Sequence, residues 1–106
     1  MQQNISTLKD SIEYQDGSVV SKEILKEDGG TVTIFAFDAG QGLSEHIAPF
    51  NALVLILDGE AQINIEKTPH TLTEGQLIQL PVGKVHSLKA LKRFKMLLIM
   101  IKAMTL

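Results

Sequence analysis

Gly75-Gln76-Leu77-Ile78-Gln79-Leu80-Pro81-Val82-Gly83-Lys84-Val85-His86 is the stretch from which the fold is read. Leu77 to Leu80 reads as a short strand between two turns. Pro81 stops it, because proline has no N–H to give to a ladder. Gly83 lets the chain reverse, and a new strand runs from Val85 to Ala90. Glu74-Gly75 is the turn on the upstream side.

The same grammar extends in both directions. Thr31 to Phe37 is rich in β-branched and aromatic side chains, as strands are. Ala52 to Leu57 is a continuous apolar run, and Asp58-Gly59 after it predicts a tight hairpin. Ala61 to Glu66 alternates apolar and polar, the period of a strand with one buried face. Lys67-Thr68-Pro69-His70 reads as a turn and Thr71-Thr73 as a short strand. Val85 to Ala90 and Phe94 to Ile101 are expected as the last two strands, and Val19-Val20 with Ile24-Leu25 as the first. Only Thr7 to Tyr14 has a helical look, with Leu8 and Ile12 on one face. Eight or nine short strands with frequent turns and no helix-length spacers predict an all-β sandwich or barrel, not an α/β fold.

A second segment completes the pattern. Five residues separate Gly40 from His46, and Ala48, Ala52 and Gly59 follow. Together the two segments resemble the paired motifs of the cupin superfamily. The first family motif is Gly, five residues, His-x-His, three or four residues, Glu, six residues, Gly. The second is Gly, five residues, Pro-x-Gly, two residues, His, three residues, Asn. Gly40, His46 and Gly59 match the first; Gly75, Pro81, Gly83 and His86 match the second. The resemblance covers residues 18–102. It implies a double-stranded β-helix (jelly-roll) barrel formed by the whole chain as a single cupin domain, preceded by a short helical or irregular segment.

The resemblance also implies a metal centre that is half gone. In the family, two imidazoles of His-x-His, the Glu and the second-motif His hold one divalent ion inside the barrel. The spacing suits this, because residues i and i+2 of a strand point the same way. Here His46 and His86 remain, while Ala48 and Ala52 stand at the other two ligand positions and Ala90 at the Asn. His46 and His86 are therefore the candidate catalytic or metal residues. The ion, if bound, is expected to be Zn, Ni, Fe or Mn. With two ligands shortened to alanine, a small apolar pocket is expected beside His46, lined by Ala48, Phe50, Ala52, Val54, Ile56 and Leu88. The opposing expectation is two barrel-lining histidines that bind nothing. His70 is expected at the rim, and Lys84 in a solvated loop beside the second motif. His46 to Val54 and Phe94 to Leu98 also look like a group of short stand-alone bacterial cupins in which both alanines recur.

Composition sets the outer limits. A chain of 106 residues is one domain. With no cysteine, it has neither a disulfide frame nor a thiolate metal site. Met1 to Ser11 lacks the basic start and apolar run of a leader, and Met96 to Ile101 is too short to span a bilayer, so a cytoplasmic protein without membrane contact is expected. All 12 acidic residues precede Lys84, and six basic residues follow from there. In a chain of net charge −2 this is expected to be a solvated region that pairs with acids elsewhere, not a nucleic-acid footprint. A homodimer through sheet-edge pairing of Val19 to Lys26 is expected. Three functions follow in order: a small-molecule-binding barrel with a two-His site; a divalent-metal enzyme of dioxygenase, isomerase or decarboxylase type; and a non-catalytic regulatory or structural module like the sensing domain of sugar-responsive regulators.

Overall fold

The computed structural model describes residues 5–103. Seven strands follow one 3-10 turn, Leu8–Asp10: β1 Val19–Glu27, β2 Gly30–Phe37, β3 Gly42–His46, β4 Phe50–Ile65, β5 Thr68–Thr73, β6 Leu77–Leu80 and β7 His86–Lys102. Every pairing is antiparallel.

The architecture rests on two long strands, β4 and β7, which pair along their whole length from Phe50↔Lys102 to Ile65↔His86. Each belongs to two sheets. The first half of β4 also pairs β6, and the last half of β7 also pairs β2, which pairs β1. The second half of β4 pairs β5, and the first half of β7 pairs β3. The two halves meet where the β4–β7 register shifts, between Ile56 and Asp58 and again between Gly59 and Ala61. Extra residues at such bulges bend a strand, and here they carry it from one sheet to the other.

Two expectations are corrected at this corner. Asp58-Gly59 is not a hairpin, and Val85–Ala90 and Phe94–Ile101 are one strand. Gly59 does need its positive φ of 79°, but to let β4 bend against β7. A third correction moves a turn. The reversal falls at Glu66-Lys67, with Glu66 at φ 56°, and Pro69 and His70 lie inside β5. Proline is tolerated there because β5 is an edge strand. The helix expected over Thr7 to Tyr14 shrinks to the three residues of the 3-10 turn.

The main core lies between the sheets. Phe37 and Phe94 stack at 4.5 Å between ring centroids, and Val54, Ile56, Ile63 and Met96 close around them. A second cluster covers the outer face: Ile12, with Leu8 and Tyr14 against it, packs on Ile34 and Ala36. Tyr14 Oη donates to Asp58 at 2.6 Å, and Lys95 Nζ donates to the Lys9 carbonyl, so the N-terminal segment is tied down at the corner. Several basic residues after Lys84 meet acids: Lys84 reaches Glu66, Lys92 reaches Glu60, and Arg93 holds Asp16 and Asp38.

Candidate functional site

His46 ends β3 and His86 begins β7, and the two are opposite one another in the β3–β7 ladder. Directly opposed residues of an antiparallel pair share a face. The two rings meet edge to face, 4.3 Å between centroids and 70° between planes. His86 is 6% exposed, whereas His46 is open to solvent.

Both rings are oriented by the same local device. Nδ1 of His46 lies 2.8 Å from the Ser44 carbonyl, and Nδ1 of His86 lies 3.2 Å from the Lys84 carbonyl. A carbonyl only accepts, so each Nδ1 carries the proton. In the neutral ring Nε2 is then the nitrogen that keeps its lone pair, the state a metal ligand or a proton acceptor needs.

Burial lowers the pKa of His86 from its ordinary 6.5; the bond to the Lys84 carbonyl opposes this, and the neighbouring His46 adds a smaller push downward. In the window between the depressed native value and 6.5, the unfolded chain binds more proton than the native one. Stability from this residue is complete above 6.5 and is lost as pH falls through the native value. The melting temperature should therefore drop from pH 7 toward pH 5, and His86→Leu should flatten that part of the profile in a scanning-fluorimetry pH series.

The two rings stand on the wall of a cavity of about 50 Å³. Ala52 and Val54 on β4, Leu88 on β7 and Ala48 in the connection between β3 and β4 line it. Two expected residues do not. Ile56 is 1% exposed and sits deeper, in the core between the sheets. Phe50 is the first residue of β4, paired with Lys102 at the ladder's end, and lies in a separate depression with Asp28 and Pro49. Sequence reasoning missed Leu43, Leu80, Met96, Leu98 and Met100. The register would have found two of them: Met100 is opposite Ala52 and Leu98 opposite Val54. His70 is on β5 and takes no part in this cavity; Lys84 is occupied with Glu66.

Apart from the two imidazole rings, only alkyl and thioether side chains line the cavity. No carboxylate lines it, and among the described residues no group of three or more His, Cys, Asp or Glu comes together. A divalent ion with two neutral donors in apolar surroundings lacks both charge compensation and a full coordination shell. The donor set does not fit the family's divalent centre.

The crossed double sheet, the two motif histidines in register and the lumen behind them define the class: this is a small cupin of the bacterial type. The chain belongs to the AraC-like ligand binding domain family, whose model matches residues 28–102. No curated protein matches it. Among solved structures it is similar to a conserved protein of unknown function from Streptococcus pyogenes, with 30% identity, TM-score 0.92, and 99% of this chain and 92% of that one covered. A cupin superfamily protein from Desulfitobacterium hafniense is 29% identical, with TM-score 0.91 and coverage of 97% and 94%. A cupin 2 conserved barrel domain protein from Leptotrichia buccalis is 37% identical, with TM-score 0.83; 86% of this chain matches 44% of that one.

Proposed function

We propose that the protein is a ligand-binding barrel whose lumen takes a very small ligand at the Nε2 atoms of His46 and His86. The observation that carries this is the shared Nδ1-to-carbonyl bond, which leaves Nε2 as the accepting nitrogen of two rings that line one apolar cavity. A cavity near 50 Å³ compares with roughly 10–15 Å³ needed for one water on the same measure, so it suits a ligand of a few heavy atoms. A sugar fits poorly. It bears a hydroxyl on nearly every carbon, and most would lie unpaired against alkyl walls. Short alcohols are suitable probes, with an O–H to donate and an alkyl body to bury. Added to the full chain, they are expected to shift the side-chain nitrogen resonance of His86 and leave that of His70 in place. No shift across the series would contradict this reading.

We further propose a homodimer. Among the described residues β1 has a ladder partner on one side only, and Leu25 and Ile101 on the adjoining surface are about half exposed. Light scattering at micromolar concentration should give twice the chain mass of 11.6 kDa; the mass of one chain would overturn it.

A further inference from the structure

Strands β4 and β7 turn alternate residues to the lumen, so the residues between them face the opposite way. On that outer side the ladder sets Leu25, Val32, Ile99 and Leu53 in one row across β1, β2, β7 and β4. Directly opposed residues share a face. Ile101 flanks the row at one end of the sheet and Leu77 of β6, opposite Leu55, at the other. Leu25, Leu77 and Ile101 are each more than half exposed. The N-terminal residues Leu8, Ile12 and Tyr14 cover the Ile34 and Ala36 end of the same face. Among the described residues nothing covers the end toward the β1–β2 hairpin.

Size and charge say what fits the open part. Five strands about 4.8 Å apart make it roughly 20 Å across, and three outward residues per strand give it a similar length. That is on the order of 400 Å² in plan, large enough to mark an interaction surface. With its rim it approaches the ~600 Å² per partner of the smaller stable pairs. The covered end decides how a second copy can approach. The N-terminal segment stands above the sheet, so two copies pack only with their covered ends on opposite sides of the contact. A two-fold axis running across the strands, between Ile99 and Ile101, meets that condition and makes the patch its own complement. It also reverses β1, so the Glu27 end of one copy lies toward the Lys22 end of the other. Both side chains belong to this face, opposite Gly30 and Ile34. Among the described residues neither forms an ion pair within the chain.

We propose that two copies of the chain pack outer sheet against outer sheet, about a two-fold axis near Ile99 and Ile101. The proposal rests on the homodimer reading and names its contact as the sheet face, not the β1 edge. Ile99 of one copy lies on Ile101 of the other, at the ~10 Å spacing of packed sheets.

The chain has no cysteine, so single cysteines in the full chain report the contact. Ile99→Cys and Ile101→Cys should each form a covalent dimer with a short bis-maleimide at micromolar concentration. Glu23→Cys should not; it lies in the middle of the free β1 edge and, opposite Thr33, on the other face. Ile101→Lys should raise the dimer dissociation constant at least ~100-fold, because it sets two unpaired charges in an apolar contact. Leu91→Lys, similarly exposed but outside this face, should leave the constant unchanged. Circular dichroism should show both lysine variants folded. The cysteine set needs no charge in the sheet, so it decides the matter even if Ile101→Lys fails to fold. Cross-linking at Glu23 and not at Ile99 or Ile101, or a dimer that a folded Ile101→Lys leaves intact, would overturn the face contact and leave the homodimer standing. A natural chain with the mass of one copy would overturn both.

Discussion

Gly59→Ala is expected to prevent the chain from folding. The glycine lies at φ 79°, and a Cβ built there would meet the Arg93 carbonyl oxygen at 1.7 Å and the Arg93 carbonyl carbon at 2.7 Å. Both atoms are backbone of the partner strand, so no rotamer change relieves the clash. β4 and β7 would have to separate where both pass between sheets, beside the stacked Phe37 and Phe94. The cost should exceed the ~4–5 kcal/mol that marks exceptional single substitutions, against a total stability of about 5–15 kcal/mol. Gly75→Ala supplies the contrast. Its φ is 88°, but nothing lies within 4 Å of the added carbon. Only the left-handed backbone penalty of roughly 1–2 kcal/mol applies. Urea denaturation followed by circular dichroism should show a folded Gly75→Ala protein and an unfolded or insoluble Gly59→Ala one. A folded Gly59→Ala with near-normal midpoint would mean that the corner is not built as described.

Ala48→His with Ala52→Glu is expected to create a divalent site where the natural chain lacks one. Both alanines line the lumen beside His46 and His86. The double variant would supply three imidazoles and a carboxylate, the number and type of donors that a closed Zn or Ni site requires. Without metal, a carboxylate in apolar surroundings costs stability or takes up a proton. With metal at ~100 times its dissociation constant, the gain is about 2.7 kcal/mol, on the order of 10 °C for a domain of this size. The natural chain should show no comparable rise with the same ions, and a chelator should reverse the gain in the variant. A variant that folds but ignores Zn and Ni would show that the four positions do not converge.

The two motifs were legible because turn chemistry is local. Leu77–Leu80 between Gly75 and Pro81 is the strand read from the sequence, and both Gly75 and Gly83 have positive φ. His46 and His86 could be placed together because the resemblance supplied the pairing of two segments forty residues apart. The corner was not legible. A glycine with positive φ after aspartate serves a hairpin and a bulge equally well, and only the partner strand, β7, decides which. Pro69 was misread for a related reason: proline argues against a strand only when that strand has neighbours on both sides. The methionines were overlooked because Met96 to Ile101 is an unbroken apolar run, which does not say which face is inward until Met100 is set opposite Ala52.

The central claim is that each histidine holds its proton on Nδ1 and turns an unprotonated Nε2 to the lumen. Long-range proton–nitrogen correlation of the labelled side chains at about pH 8, where unperturbed imidazoles are neutral, reads this directly. The account predicts that His46 and His86 are both Nδ1–H tautomers, and that their Nε2 resonances move when a short alcohol is added. An Nε2–H tautomer at His86, or Nε2 resonances indifferent to every addition, would contradict it.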